Sequence, residues 1–346
     1  MKKADFENYG RRQRWSLLKN RLLLLGLALV LLALWGWCGS GISPEERRVM
    51  KSVRSAQSFL YNLKIQRASE FERSDDPWQT GFIGLEWSSL STTLGALSAK
   101  RTACDPRWSV VVRRWMQSLD LQPGDRVAVY TSSSFPGMAF NVLKALESLR
   151  IEPFLIVSLG ASTWGANDPL FPWPVIEKEL REAGYLRTKA DFYTLGGGSE
   201  RGVGMPPEAI TLLRTAAEGN DVPLVEKDSL EEMIQWKFDL LKERNVKALI
   251  SIGGSEANMG PGNEILLLKP GLHLKGKGGS AVIGRALDAG YPVVHLLNIK
   301  ALCAQTGVPF DAPPGEMFYG RRGKIALAVG FLFFAAVMAL YRRWSF

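Results

Sequence analysis

The chain has 346 residues and an ordinary hydrophobic content of 46%, so it is no polytopic transporter. Its net charge of +9 sits in the tails: residues 1–21 carry +5 and residues 323–346 carry +3, which leaves +1 for everything between. A nucleic-acid binder carries its excess on the folded domain, so this distribution argues against nucleic acid as a partner.

The first element is the basic tail, 1–21, which the positive-inside bias places in the cytoplasm. The uncharged run 22–41, "LLLLGLALVLLALWGWCGSG", is long enough to cross a bilayer. Trp15, Trp35 and Trp37 stand where interfacial aromatics belong. A cleaved signal peptide is the alternative, but the run is long for one and no A-x-A site follows. The segment 42–77 reads as a stalk helix. Ser43, Pro44 and Glu46 supply its cap, first-turn proline and capping-box acid. Val49, Val53, Phe59, Leu60 and Leu63 give it an apolar stripe, and Asp75-Asp76-Pro77 closes it. The stretch 78–102 reads as a long irregular loop whose apolar content argues against disorder.

From there to residue 310 helix and strand alternate. Helices are predicted near 106–119, 137–150, 175–183, 207–218, 229–244, 280–289 and 299–305. Strands are predicted at 125–130, 153–158, 191–195, 222–226, 246–252, 264–269 and 291–297. The alternation predicts, for the outer domain 78–310, a Rossmann-like α/β fold, a mainly parallel sheet with helices on both faces. Such sheets bind ligands beyond the carboxyl ends of their strands. A linker, 311–323, leads to a second transmembrane helix, 324–341, and a short cytoplasmic tail, 342–346. Two spans place both termini in the cytoplasm and the main domain outside the cytoplasmic (inner) membrane.

The loops at the strand ends are rich in Gly, Ser and Asn. "TSSSFPG" (131–137) offers Ser132, Ser133 and Ser134 at a helix N-terminus, where hydroxyls and N–H groups suit an anion or merely cap the helix. "VSLGASTWGANDP" (157–169) puts Trp164 as an apolar anchor, with Ser162, Asn167 and Asp168 facing a ligand or fixing the turn. "GGGSERGVG" (196–204) lets the backbone approach a ligand closely at Gly197. "SIGGSEANMGPGN" (251–263) brings Gly253, Gly254, Ser255 and Asn258; it has the look of a nucleophile elbow with Ser255 at the tip, although Met259-Gly260-Pro261-Gly262 limits the helix an elbow should enter. "GLHLKGKGG" (271–279) has phosphate-loop spacing, but Gly278 replaces the Ser/Thr that would hold magnesium, so ATP is not expected.

Only two histidines exist. A Ser-His-Asp arrangement would use Ser134 or Ser255 as nucleophile, His295 as base and Asp168 as orienter; a structural His295 is the alternative. No cluster has metal-ligand spacing, so neither metal nor cofactor is expected. Cys104 and Cys303 are two buried free thiols or, in an oxidising compartment, one disulfide.

The stretches "GLEWSSLSTTLGALSAKRT", "SSSFPGMAFNVLKALESL", "VSLGASTWGANDP", "LGGGSERGVG", "SIGGSEANMG" and "VVHLLNIKALCAQTGVPFD" together resemble the poly-gamma-glutamate system protein family. These are membrane proteins encoded with the poly-γ-glutamate ligase and export components of bacteria. The resemblance covers most of 80–311, and "TTLGALSAKRT" and "STWGANDP" are its most specific motifs. It implies a place in the bacterial cell envelope and in capsule or exopolymer biosynthesis, with poly-γ-glutamate synthase or export subunits as partners. It implies no catalytic residues. Two functions are expected: an accessory component whose outer domain contacts the polymer or a synthase partner, or a serine-dependent amide hydrolase or transferase that trims or anchors poly-γ-glutamate. Contact with the anionic polymer would need a local cationic cluster, for which Lys100, Arg101, Lys275 and Lys277 are the candidates.

Overall fold

The computed structural model describes residues 41–261, 268–276 and 279–315, with helical residues scattered through 15–33 and 328–337. In chain order the first elements are α1 (Pro44–Gln66), β1 (Ser91–Thr93), α2 (Leu97–Ala103), α3 (Arg107–Gln117), β2 (Arg126–Ser132) and α4 (Pro136–Leu149). Next come β3 (Glu152–Ser158), β4 (Ala161–Ser162), α5 (Trp173–Glu182), β5 (Phe192–Thr194), α6 (Pro207–Gly219) and α7 (Leu230–Glu243). The last are β6 (Ala248–Ile252), α8 (Glu256–Met259), β7 (Gly271–His273), α9 (Val282–Asp288), β8 (Val293–Leu296) and α10 (Ile299–Thr306).

The main sheet has six strands in the order β5-β3-β2-β6-β8-β7. Every pairing is parallel except β7 against β8. The inner strands β2, β3 and β6 are buried on both faces over most of their length, which is why they read as unbroken apolar runs. On one face Tyr130 and Ile156 pack against Met233, Ile234 and Leu241 of α7 and Ile283 and Ala286 of α9. Helices α1, α3 and α4 pack together on the other side. The chain builds outward from β2 to β3 and β5, then returns to β6 on the opposite flank. The order therefore reverses between β2 and β6, the switch point where such sheets open a crevice.

Several elements differ from the sequence reading. Helix α1 ends at Gln66, well before Asp75: Ala68 turns left-handed (φ 51°) and the Ser69 N–H closes back on Lys64 O at 3.0 Å. The stretch 78–102 is anchored in the core through Phe82, Ile83 and Leu90, although 93–94 are exposed and 97–102 belong to α2. Asp76 pins it by accepting the N–H groups of Thr80 and Gly81 at 2.9 and 2.7 Å, and Phe82 stacks on Phe140 with centroids 5.3 Å apart. Residues 222–226 form no strand; they contribute a single bridge, Leu224 to Tyr193. The strand expected at 264–269 lies mostly outside the described residues, and 271–273 supply the antiparallel β7 instead. Cys104 and Cys303 are both free and buried.

Contacts divide the chain into Pro44–Gly315 and the terminal segments, Met1–Ser43 with Glu316–Phe346. Among the described residues no helix is long and apolar enough to cross a membrane. The runs 22–41 and 324–341 fall largely outside those residues; the parts that are described, 25–31 and 328–335, are helical.

Candidate active site

The loop after β3 does not hang free. Residues 161–162 form β4, which pairs in parallel with β1 and brings Ser91 opposite Ala161 and Thr93 opposite Ser162. Asn167 is fully buried and holds the two segments together. Its Oδ1 accepts the Leu85 N–H at 2.9 Å, and its Nδ2 donates to Leu85 O and Ser91 Oγ at 2.9 Å each. Trp164 is left-handed (φ 55°) and donates Nε1–H to Asp75 at 3.0 Å. Gly165 lies across the turn after β2, where a Cβ would come within 2.8 Å of Ser133 O. The segment 84–96 and this loop thus form a second layer over the carboxyl ends of β2 and β3.

Beneath that layer Lys100, from α2, meets Ser162, from β4. Lys100 Nζ lies 2.6 Å from Ser162 Oγ and 2.5 Å from Ser134 O, and 3.7 Å from the centroid of the Phe135 ring. The Ser162 N–H in turn donates to Ser134 Oγ at 2.9 Å. Lys100 and Ser162 are 3% and 4% exposed. Burial pushes the Lys100 amine down to about 7, opposed only by the neighbouring Cys104 thiol. A buried amine with no carboxylate beside it is poised to take a proton near neutral pH, and a serine hydroxyl stands within reach. Helix α4 starts alongside at Pro136 with no side-chain cap, and its positive end further disfavours a charged amine nearby.

A second polar cluster adjoins the switch point. Register places Ser132, Ser158 and Thr194 in one row across β2, β3 and β5, all on the same face. Glu200, from the glycine-rich loop after β5, turns inward over this row. Ser158 and Thr194 donate to its Oε2 at 2.8 and 2.7 Å, and Ser255 makes a short bond to its Oε1. Lys237 of α7 lies 3.5 Å away, and both charged side chains are 1% exposed. Burial alone would raise the Glu200 carboxyl, but Lys237 and the three hydroxyls outweigh it and hold it below the usual range. The arrangement locks the 196–204 loop onto the sheet.

The remaining expected site residues are dispersed. Ser255 stands at the N-cap position of α8, a single turn, but makes no side-chain cap bond there; its hydroxyl donates to Glu200 instead. Asp168 accepts the Ser69 hydroxyl and the Leu170 N–H and lies 3.7 Å from Lys64. His295 sits on β8 opposite Ser251; its Nδ1 is buried with no partner among the described residues, and burial pushes it down to about 4. Ser134, Ser255, His295 and Asp168 therefore form no hydrogen-bonded triad, because each polar group that would link them is bonded elsewhere or has no partner. Among the described residues the buried hydroxyls of Ser132 and Ser133 have no partner at the switch point, with Gly253 against Ser132 and the Asn258 Nδ2 donating to Ser251 Oγ at 3.3 Å. Gly254 stands in open space beside Met259, and Gly197 abuts Val203.

The three expected cations that are described do not gather. Arg101 binds the carbonyls of Asp75 and Ser74 at 2.7 and 3.0 Å, and the carboxylates of Asp75 and Asp311 lie 3.9 Å away. Lys100 is buried. Strand β7 runs antiparallel, so it carries Lys275 to the amino-terminal edge of the sheet, opposite Lys100. Lys277 lies outside the described residues.

Sequence reading missed Glu200 and Lys237. Glu200 sat inside a loop read for its glycines. Lys237 falls on the buried stripe Met233, Ile234, Leu240 and Leu241, which was a visible signal. Among the described residues no group of three or more His, Cys, Asp or Glu could hold a metal ion.

Fold and site together define an α/β domain with a buried serine–lysine contact at the carboxyl edge of a mostly parallel sheet. Comparison with family models, with curated proteins and with solved structures gave no match.

Proposed function

We propose that this chain is a component of poly-γ-glutamate assembly or export, held in the cytoplasmic membrane by an apolar helix at each end, and that its outer domain performs serine-dependent acyl chemistry on γ-glutamyl amides. The pathway and its partners rest on the sequence motifs; the tethering rests on the two apolar runs. Leu25, Leu29, Phe331, Leu332 and Phe334 are helical and exposed, as side chains facing lipid would be. The chemistry rests on one observation, the 2.6 Å contact between Lys100 Nζ and Ser162 Oγ in a site without a paired acid.

In this reading the neutral Lys100 amine takes the Ser162 proton as Oγ attacks an amide carbonyl. The amide C–N bond breaks, Lys100 returns the proton to the departing amine, and water or a second amine releases the ester. The loop 93–96, which is largely exposed, must move aside to admit the polymer. The test is incubation of the purified full chain, in detergent, with poly-γ-glutamate. Shortening or transfer by the wild type, and none by Ser162→Ala, supports the reading; a folded wild type that leaves chain length unchanged sinks it.

The second reading is a non-catalytic accessory subunit. What favours it is the depth of the pair: Lys100 also fastens Ser134 O and Phe135, which a purely structural clamp would do. Binding of polymer or of a synthase subunit without turnover is its signature.

A further inference from the structure

We propose that the amino-terminal edge of the sheet holds an anion site, suited to a ligand that carries several carboxylate or phosphate groups. An open pocket of about 460 Å³ lies there, lined by Arg126, Arg150, Arg187, Lys189 and Arg244. These side chains come from the starts of β2, the ends of α4 and α7, and the segment before β5.

Three acids share the lining, and each is engaged. Glu147 is buried; its Oε1 accepts the N–H groups of Arg187 and Thr188 at 2.7 and 2.9 Å, and its Oε2 takes Lys144 at 3.0 Å. Asp191 accepts the Leu155 N–H at 2.8 Å. Glu152 pairs with Arg126 at 3.0 Å between exposed side chains, where water screens the attraction. Against them, Arg150 and Arg244 make no ion pair within 4.0 Å among the described residues, although Arg244 lies 5.4 Å over the Phe154 ring and its charge acts on Asp191. The Arg187 side chain is 74% exposed; its Nη2 donates to Glu147 O at 2.9 Å and its Nε lies 3.9 Å from the Glu147 carboxylate. Lys189 leans on the fully exposed Asp221.

A simpler role covers part of this. Arg150 and Arg244 follow α4 and α7, where a cation answers the helix dipole. That accounts for two charges; the other three carry the ion pairs to Glu152, Glu147 and Asp221, each with an exposed member, and all five line one concavity. Arg150 also holds a left-handed φ of 58°, a position ordinarily given to Gly or Asn, so an arginine is kept there against the preference of the backbone. Guanidinium forks bind carboxylate and phosphate oxygens in pairs, which suits a polyvalent oxyanion. The length of β2 sets this edge about 20 Å from Ser162, so the site is separate from the serine chemistry and does not rest on it.

The test measures binding of fluorescent oligo-glutamate and, separately, of inorganic tripolyphosphate to the full chain in detergent at low and high salt. At least one of the two should bind, more weakly at high salt. Arg150→Gln/Arg244→Gln should weaken that binding by about tenfold or more, while the loss of two helix-end cations lowers the melting temperature by no more than a few degrees. The charge-matched control Lys51→Gln/Lys300→Gln should leave it unchanged. Whichever probe binds identifies the source of the oxyanions. Binding of neither probe, or equal weakening by the control pair, overturns the proposal. Loss of turnover in Ser162→Ala with binding intact would separate the two sites.

Discussion

Lys100 and Ser162 are 62 positions apart in the chain and 2.6 Å apart in the fold. Each belongs to one of the two most distinctive motifs of the sequence, and the parallel pairing of β1 with β4 is what brings the motifs together. The lysine has no acid to answer its charge, so its burial has a pH signature.

In the folded chain the Lys100 amine titrates near 7, against about 10.4 when unfolded. Between those values the unfolded chain binds more protons, so stability rises with pH; below about 7 the full burden of burying the charge is present. Lys100→Met removes that dependence. Relative to wild type, the variant should gain most at pH 7 and below, and the difference should shrink by about 1.4 kcal/mol per pH unit up to about pH 10. Denaturant unfolding of the full chain at a series of pH values checks this; a difference independent of pH counts against a depressed lysine.

The Glu200–Lys237 pair predicts a strong coupling. Lys237→Met leaves a carboxylate at 1% exposure without its cation and should destabilise the chain by about 3–5 kcal/mol. Adding Glu200→Gln should recover about 1 kcal/mol or more, since the orphaned charge is gone. A double-mutant cycle that closes additively would mean the pair is not the lock of the 196–204 loop.

The covering layer depends on close backbone approach. A Cβ at Gly84 would fall 2.1 Å from Gly165 O and 2.2 Å from Asn167 Oδ1, whereas the nearest atom to a Cβ at Gly254 is Met259 Sδ at 3.7 Å. Gly84→Ala should therefore cost about 2 kcal/mol or more and disturb the Ser162 loop. Gly254→Ala should stay within about 0.5 kcal/mol. Melting curves of the two variants decide, and similar values would contradict the packing described for 84–96.

Much of the scaffold was legible. Strands β2, β3, β6 and β8 are apolar runs buried on both faces, and such runs announce a parallel sheet. The glycine- and serine-rich loops pointed to the carboxyl edge for the same reason. The site itself was less legible. Lys100 read as one of four cations for contact with the polymer, and only the covering layer buries it. The direction of β7, which separates Lys275 from Lys100, is set by pairing with β8 and leaves no local trace. Asn167 and Asp168 read as facing a ligand or fixing the turn, and the fold uses them in the second way: one joins two loops, the other answers Lys64. Lys64 and Lys237 share the overlooked cue, a lysine on the apolar stripe of a helix.

Under the proposed function Ser162 becomes acylated with Lys100 as its base. The most direct measurement is acid quenching of the full chain during reaction with poly-γ-glutamate, followed by peptide mass analysis. A glutamyl ester on the peptide carrying Ser162, absent in Ser162→Ala and Lys100→Met, is the predicted result. Polymer shortening that persists in Ser162→Ala, or an ester found on Ser134 or Ser255 instead, would contradict it.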